Sequence, residues 1–223
     1  MNRPAIKALF FDFVDVCAVS DFSRFIKNFS KAAKVPALDV ELALRVDPSE
    51  PGGCWGYTRP FAEFECGTLS PGKFFHVLTA FLDCRERIDF DTFARLWVDI
   101  FTGENIPLDQ LLHRLPQEKY LLSNTNNLVY GRYVADCQII RNHFPLDRRI
   151  LSHVVHAIKP DPSIYYVALR RANVAPQEAL FVDDRQENIT AWRALGGHGI
   201  VYHAVKNSIE ELEAELRAFG VLA

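Results

Sequence analysis

Three apolar stretches of the sequence each end in polar side chains that are suited to binding a cation or a phosphate. Asp12 closes the first stretch, Ser123 and Asn124 close the second, and Asp183 and Asp184 close the third. Taken singly, each of these residues is typical of a strand end or a helix cap. The carboxyl ends of parallel strands meet at one edge of a sheet, so we expect these side chains to lie together. Carboxylates gathered in that way favour a bound cation, and Mg²⁺ prefers such oxygen ligands.

A lysine in the loop before a predicted helix completes this group. Lys159 stands in the sequence Ile158-Lys159-Pro160-Asp161-Pro162, from which it can reach the same sheet edge. Its charge would balance part of the negative charge of the carboxylates. An isolated lysine is more often a surface residue, so it is the combination with the strand-end residues that makes this one a candidate.

The elements that must position these residues alternate between strands and helices. Helical periodicity separates apolar runs that predict strands over 6–11, 119–122, 150–151, 179–182 and 199–202. That alternation predicts an α/β fold with a doubly wound parallel sheet. Between about residues 17 and 104 the pattern is helical throughout, although the chain began with a strand. We therefore expect a core domain of residues 1–16 and 105–223, interrupted by an all-helical domain of residues 17–104.

Composition and charge narrow the possible partners and location. The chain of 223 residues has a net charge of −3 at pH 7, which argues against a nucleic-acid or anionic-membrane surface. No apolar run approaches the length of a membrane span, and the residues before the first strand leave no room for a signal peptide. The five cysteines form no C-x-x-C pair, so neither a disulfide framework nor a zinc site is expected. We expect a cytoplasmic monomer or homodimer with no nucleic-acid or membrane partner.

The motifs together resemble those of the haloacid dehalogenase (HAD) superfamily. The matching segments are the strand-end Asp12, the Ser123-Asn124 pair, the Lys-Pro-Asp-Pro sequence at Lys159, and the Phe-Val-Asp-Asp sequence that ends at Asp184. The sequence Glu-Cys-Gly-Thr-Leu-Ser over 65–70 also resembles the helical (C1) cap of the phosphatase-like members. The resemblance implies a hydrolase with a Rossmann-like core and a helical cap that closes over the sheet edge.

The resemblance also implies a role for each matching residue. Asp12 would be the nucleophile and would form an aspartyl-phosphate intermediate. Its second carboxylate oxygen would bind Mg²⁺. The backbone carbonyl of Val14 and the carboxylates of Asp183 and Asp184 would complete the protein ligands of that ion.

The phosphoryl group would be held by the remaining motifs. Ser123 and the backbone N–H of Asn124 would bind its oxygens, and Lys159 would neutralise charge on these oxygens and on the nucleophile. This division of labour suits phosphoryl transfer, in which positioning and charge stabilisation do most of the catalysis.

The first motif departs from the family pattern next to the nucleophile. Family members usually carry a second Asp two residues after the first, followed by Gly, whereas this chain has Val14 and Asp15 at those positions. In the phosphatases that second Asp is the general acid and base, and such catalysis contributes about 10²–10⁴ in rate. Val14 has no proton to transfer, although its carbonyl oxygen remains available to a metal ion.

Three hypotheses follow from this departure. The first is a Mg²⁺-dependent phosphatase for a small phosphorylated metabolite, whose general acid and base is impaired or is relocated to Asp15, to a cap residue or to the substrate. The second is a catalytically impaired protein of the same fold that binds phosphate or a metabolite, or acts as a regulatory module.

The third hypothesis is a phosphonate- or carbon–halogen-cleaving enzyme that uses the same nucleophile. The paired acids Asp183 and Asp184 count against dehalogenation, because the dehalogenases of the family work without a metal. Phosphonate cleavage would require a cap lysine that forms a Schiff base with the substrate. Lys27, Lys31 and Lys34 stand on the first predicted cap helix.

The insertion would also supply the residues that select the substrate. We expect them on the first cap helix and in the loop up to residue 59, where the candidates are Arg24, Arg45, Trp55, Tyr57 and Arg59. Each of these residues, taken singly, is equally consistent with a packed aromatic ring or a solvated arginine.

Overall fold

The computed structural model describes residues 4–45, 53–54 and 56–222 of the chain. Its strands are β1 (Ala8–Phe11), β2 (Ala18–Ser20), β3 (Gly53–Cys54), β4 (Tyr57–Thr58), β5 (Phe101–Glu104), β6 (Glu118–Ser123), β7 (Arg149–Leu151), β8 (Ala179–Asp183) and β9 (His198–Val201). Its α-helices are α1 (Phe22–Ala33), α2 (Ala37–Leu44), α3 (Arg59–Glu65), α4 (Pro71–Phe81), α5 (Phe90–Val98), α6 (Ile106–Leu112), α7 (Asn127–Arg132), α8 (Gln138–His143), α9 (Ser152–Val155), α10 (Pro162–Ala172), α11 (Gln186–Ala194) and α12 (Ile209–Ala218). Short 3₁₀ turns cover Val134–Asp136, Leu146–Arg148 and Pro176–Glu178. Within the described ranges, none of the helices has both the length and the hydrophobicity that crossing a bilayer requires.

Five strands form a parallel sheet in the order β7-β6-β1-β8-β9. β1 lies in the middle, hydrogen-bonded to β6 on one side and to β8 on the other. Parallel neighbours require crossover connections, and here these connections contain helices. The predicted α/β fold with a doubly wound parallel sheet is confirmed.

Strand β1 is buried on both faces of the sheet. Leu9 and Phe11 pack into a core that includes helices α6, α7, α8 and α12 and extends into the insertion, whereas Ala8 and Phe10 pack against α10 and α11 on the other face. This alternation follows from the two-residue period of a strand. β1, β6 and β8 run in the same direction, so their carboxyl ends meet at one edge of the sheet.

The helices of the insertion surround a cluster of aromatic rings. Trp97 of α5 is at the centre of this cluster and is only 2% exposed. Rings from α1, α3, α4 and α5 lie with their centroids 4.6–5.6 Å from that of Trp97, and they belong to Phe25, Phe61, Phe64, Phe74 and Phe93. The phenylalanine-rich part of the sequence therefore builds the portion of this continuous core that lies inside the insertion.

The insertion also contains strands that the sequence pattern did not predict. β2 and β5 pair antiparallel where the chain enters and leaves the insertion, and β3 pairs with β4. The expectation of an all-helical insertion up to residue 104 was wrong at its end: α5 ends at Val98, and Phe101 begins β5 because it pairs with Ser20 of β2. Strands of two to four residues carry too little alternation to be read from the sequence.

Candidate active site

The carboxylate of Asp12, directly after β1, is bonded to a buried lysine. Asp12 Oδ1 accepts hydrogen bonds from the backbone N–H of Phe13 at 2.7 Å and from Lys159 Nζ at 2.8 Å. Lys159 Nζ also donates to Asp183 Oδ2 at 2.6 Å and to the carbonyl oxygen of Leu122 at 3.0 Å. The lysine thus ties together the ends of β1, β6 and β8. In the described part of the chain, no donor is bonded to the second oxygen of Asp12, Oδ2.

The charges in this group set the protonation of its members. Burial raises the pKa of Asp12 to about 6, although the nearby Lys159 ammonium acts in the opposite direction. Burial of Lys159 by itself favours the neutral amine, but the carboxylates of Asp12 and Asp183 outweigh it and raise the pKa of the lysine above its ordinary value. Lys159 therefore remains a cation at physiological pH.

The two acids at the end of β8 have different surroundings. Asp183 is fully buried, and its Oδ1 accepts hydrogen bonds from the backbone N–H of Arg185 at 2.9 Å and from Asn188 Nδ2 at 2.8 Å. Asp184 lines a cavity. Burial raises the pKa of Asp184 to about 8, assisted by the negative charges of Asp12 and Asp183. Asp183 is thus held rigidly by the protein, while Asp184 faces the open space.

These carboxylates fit a hard divalent cation such as Mg²⁺. Asp12, Asp183 and Asp184 each offer an oxygen atom, and the three atoms lie within 4.8 Å of one another. Burial raises the pKa of Asp184 most, and the charges of Asp12 and Asp183 raise it further despite the opposing effect of Lys159, so a bound cation would favour its ionised form. Among the described residues, no donor is bonded to the carbonyl oxygen of Val14, which lines the same cavity. An all-oxygen set of this kind is the set that Mg²⁺ prefers.

The turn after β1 is held from both sides. Asp15 has a φ angle of 56°, in the left-handed region that Asp tolerates better than most residues. Its Oδ1 accepts the backbone N–H of Ser20 at 2.8 Å, and its backbone is bonded to Ala18 and Ala204. Val14 and Asp15 both line the cavity. One oxygen of Asp15 is thereby used to fix the end of β2.

The end of β6 supplies the third part of the site. Ser123 is fully buried, and its Oγ lies 3.3 Å from the carbonyl oxygen of Asn124. The side chain of Asn124 exchanges two hydrogen bonds with the backbone of Lys159: its Oδ1 accepts from the N–H at 2.8 Å, and its Nδ2 donates to the carbonyl at 3.0 Å. Asn124 therefore positions the lysine loop in addition to lining the cavity.

A cavity of about 540 Å³ lies where these strand ends meet the insertion. Asp12 and Asp184 contribute from the core, and Arg45 and Arg185 bring positive charge. The insertion contributes apolar side chains, which are Phe22, Phe61, Trp97, Ile100 and Phe101. A volume of this size, with mostly apolar walls and a few charged groups, is typical of a site for a small molecule.

Two of the candidates for substrate selection reach this cavity. The Arg45 guanidinium lies 4.7 Å from the ring centroid of Phe22, and Arg45 and Tyr57 both line the cavity. Arg185 Nη1 donates to the Tyr57 hydroxyl at 2.9 Å. This hydrogen bond links the N-terminus of α11 in the core to β4 in the insertion.

Arg24 and Arg59, two further candidates for substrate selection, are not among the residues that line the cavity. Arg24 Nη2 lies 3.1 Å from Asp99 Oδ2, and Arg59 Nε lies 2.9 Å from Glu63 Oε1. Both arginines are held at the outside of the insertion by these ion pairs, and the Arg59 side chain is 82% exposed. Trp55 lies outside the described residues.

The lysines of α1 do not reach the cavity either. Lys27, Lys31 and Lys34 are exposed, and none of the three lines it. A lysine that forms a Schiff base must touch the substrate and must lose its proton. Lys159 is charged and bonded to two carboxylates, so the described lysines near the site give no support to phosphonate cleavage.

The cavity also contains an acid that the sequence reasoning missed. Glu65, the last residue of α3, is only 8% exposed, and its Oε1 accepts a hydrogen bond from Asn126 Nδ2 at 2.6 Å. Burial raises the pKa of Glu65 to about 7. A signal was present in the sequence: Glu65 follows Phe61 by one helical turn, which puts an acid on the buried face of α3.

Comparison with known proteins decides the family. Residues 75–196, just over half of the chain, match the family model of the haloacid dehalogenase-like hydrolases. The chain belongs to this family. The matched segment contains Ser123, Lys159, Asp183 and Asp184, whereas Asp12 precedes it. The resemblance drawn from the motifs is confirmed.

The similarity to individual proteins covers most of the chain. The D-ribitol-5-phosphate phosphatase of Bacteroides thetaiotaomicron is 29% identical over 197 residues, which cover 86% of this chain and 89% of that protein. A HAD family enzyme of the same organism, solved with magnesium and inorganic phosphate, has a TM-score of 0.74 at 21% identity, covering 93% of this chain and 99% of the other. A HAD-like family hydrolase from Porphyromonas gingivalis has a TM-score of 0.77 at 19% identity, covering 96% and 99%. These structures share the fold of this chain.

Proposed function

We propose that the protein hydrolyses a small phosphomonoester in a Mg²⁺-dependent reaction, with Asp12 as the nucleophile. The observation that carries the proposal is the bridge from Asp12 through Lys159 to Asp183 beside the cavity. A site that only binds phosphate gains nothing from buried carboxylates, because they repel the anion. A carboxylate with one oxygen bonded to a fixed cation and the other free of donors suits covalent phosphoryl transfer.

In the proposed reaction each residue acts from the position described above. Asp12 attacks phosphorus through Oδ2 and forms an aspartyl phosphate, which water then hydrolyses. Lys159 offsets the charge that gathers on the phosphoryl oxygens. Ser123 and the backbone N–H of Asn124 bind these oxygens, as the family motif implies.

The metal would be held by residues that the fold already brings together. Asp12, Asp183, Asp184 and the carbonyl of Val14 are its ligands in the proposal, and this oxygen set supports Mg²⁺. When bound, Mg²⁺ neutralises the carboxylates and polarises the phosphoryl group.

The size of the cavity and one relative define the first substrates to test. A volume of about 540 Å³ admits a phosphorylated metabolite but not a folded protein segment. The similarity to a D-ribitol-5-phosphate phosphatase makes open-chain sugar-alcohol phosphates the first choice. In the proposal, Arg45 and Tyr57 bind the hydroxyl groups of such a substrate.

The test is release of inorganic phosphate from p-nitrophenyl phosphate and from D-ribitol 5-phosphate, with and without Mg²⁺. The natural protein is expected to be active only with the metal, and D12N is expected to fall to the metal-free background. If the natural protein is no faster than D12N, the hydrolase proposal fails and the binding-module hypothesis takes its place.

Two further variants locate the proton transfer. V14D restores the acid that the family usually carries, and a rise of about 10²-fold or more would mark the natural protein as catalytically impaired. Loss of turnover in a folded D15N variant would assign the proton transfer to Asp15.

A further inference from the structure

The proposed hydrolysis needs a proton for the leaving oxygen, and the residues around Asp12 are poorly placed to give one. Val14 has no ionisable group. Asp15 is fixed in the turn after β1, because one carboxylate oxygen accepts the N–H of Ser20 and its backbone is bonded to Ala18 and Ala204. Lys159 Nζ already contacts three acceptor oxygens. The insertion supplies a further buried acid to the same cavity.

Glu65 lines the cavity that contains Asp12 and is held firmly in place. Its carbonyl oxygen accepts a hydrogen bond from Ser152 Oγ at 2.6 Å, and the same hydroxyl oxygen accepts the backbone N–H of Thr125 at 2.8 Å. Its Oε1 accepts from Asn126 Nδ2. In the described ranges, Oε2 of Glu65 has no hydrogen-bond partner. One carboxyl oxygen is thus anchored to the loop after β6, and the other is free to meet a substrate.

The docking of α3 on the core fixes this geometry further. Gly67 has a φ angle of 71°, and a Cβ atom at this position would lie 2.4 Å from the carbonyl oxygen of His153. The end of α3 therefore packs directly against α9. The backbone of Glu65 and of the residues that follow it is therefore fixed against the core.

We infer that Glu65 is the general acid and base of the reaction and replaces the acid that the family usually carries at position 14. The inference rests on the proposed phosphatase function and adds to it the residue that moves the proton. In this arrangement the nucleophile belongs to the core and the proton donor to the insertion.

The steps balance with these two carboxyl groups. First, Asp12 Oδ2 forms a bond to phosphorus, the ester P–O bond breaks, and the protonated Glu65 gives its proton to the departing oxygen. Next, the Glu65 carboxylate takes a proton from a water molecule whose oxygen bonds to phosphorus, while the bond from phosphorus to Asp12 breaks. Inorganic phosphate is released, and both residues return to their starting protonation states.

The surroundings of Glu65 support both protonation states near neutral pH. Burial raises its pKa to about 7, the hydrogen bond from Asn126 opposes this rise, and the negative charge of Asp12 adds to it. A general acid and base is most effective when its pKa lies near the working pH. Among the residues whose side chains are described, the ionisable groups on the elements packed against α3 are Tyr57 on β4, His153 and His156 on and after α9, and Lys73 and His76 on α4, and Asp12 acts on Glu65 through its charge. The two α9 histidines contact backbone carbonyl oxygens through Nδ1, and Lys73 and His76 are exposed.

The test compares two leaving groups in E65Q, with E63Q as the matched control from the exposed side of the same helix. Nitrophenolate leaves without a proton, whereas the alkoxide of D-ribitol 5-phosphate requires one. E65Q is expected to lose about 10²–10⁴-fold in kcat/KM on the alkyl ester and less than about tenfold on the aryl ester. With the aryl ester, E65Q should release a burst of nitrophenol and then turn over slowly, because the second step lacks its base.

The pH profile provides a readout that a structural role would not change. With the alkyl ester, kcat/KM of the natural protein should fall above about pH 7, and E65Q should lack this fall. N126S keeps a helix-capping hydroxyl but removes the amide donor to Glu65, so its alkaline limb should move to higher pH. This variant tests the inference even if E65Q fails to fold.

The results distinguish a failure of the role of Glu65 from a failure of the phosphatase function on which that role rests. Equal losses of E65Q on both esters, or an alkaline limb that is unchanged in E65Q or N126S, would overturn the role of Glu65 and leave the phosphatase standing. Absence of activity in both the natural protein and D12N would overturn the proposed function itself.

Discussion

The buried carboxyl of Glu65 makes the stability of the protein depend on pH in a way that needs no substrate to measure. The unfolded chain loses the Glu65 proton near the ordinary glutamate pKa of 4.5, whereas the folded protein holds it until about pH 7. Between these values the folded state binds more protons than the unfolded state. The stability that comes from this proton is complete below pH 4.5, decreases as the pH rises, and is lost above about pH 7.

The size of the effect follows from the two pKa values. A difference from 4.5 to about 7, at 1.36 kcal/mol per pKa unit, corresponds to about 3 kcal/mol of unfolding free energy. Glutamine has the same shape and keeps the acceptor for Asn126, but it does not titrate. E65Q should therefore match the natural protein near pH 4.5 and exceed its stability by about 3 kcal/mol at pH 8.

Urea denaturation at intervals between pH 4.5 and 8.5, without Mg²⁺, measures this difference directly. E63Q is the control, because the Glu63 side chain lies on the same helix but is 40% exposed and is paired with Arg59. The free-energy difference between E65Q and the natural protein should rise with a midpoint between 4.5 and 7, whereas that of E63Q should stay flat. A constant difference for E65Q would show that Glu65 does not hold its proton in the folded protein, and the reasoning would be refuted.

Three other substitutions test the packing and charge of the site. K159M leaves two buried carboxylates without their cation and should lower the unfolding free energy by about 3–5 kcal/mol in metal-free buffer. Adding Mg²⁺ should restore part of this loss, and a fully stable variant would contradict the buried ion pairs. G67A places a Cβ against the His153 carbonyl and should destabilise the protein by more than about 1–2 kcal/mol, whereas the Cβ of the control G72A meets nothing within 4 Å and should have little effect. Equal thermal shifts for the two variants would argue against the close docking of α3. W97A removes the centre of the aromatic cluster and should lower the unfolding free energy, measured by chemical denaturation, by about 3–5 kcal/mol. A loss below about 1 kcal/mol would mean that the stability of the insertion does not depend on this cluster.

The strand ends were predictable because their signal is local. Asp12 and Asp183 follow uninterrupted apolar runs, and a parallel sheet brings the ends of such runs to one edge whatever the side-chain details are. Lys159 was predictable from its loop and its motif, although its burial between two carboxylates depends on the assembled sheet. The fold class follows from the same periodicity.

Residues whose environment arises from docking of the insertion on the core were harder to predict from the sequence. Glu65 is held in place by contacts with Ser152 and Asn126, which are distant in sequence. Arg24 and Arg59 occur in the expected segments, but the helix face that each occupies is set by packing, and both lie outside the cavity. The pairing of β2 with β5 is a long-range contact between segments too short to carry a pattern.

The pairing of β2 with β5 has a consequence for how such a protein can diversify. Ala18 is paired with Glu104, and the N–H of Asn105 donates to the carbonyl of Cys17 at 2.8 Å, so the chain leaves the core and returns to it at adjacent points. For the core, the whole insertion is then equivalent to a hairpin, and the entropic cost of closing such a loop grows only slowly with its length. New insertions can therefore be exchanged over evolution without disturbing the sheet. With Glu65 as the proton donor, each exchange would replace the acid together with the substrate pocket, so that specificity and proton chemistry would be inherited as one unit.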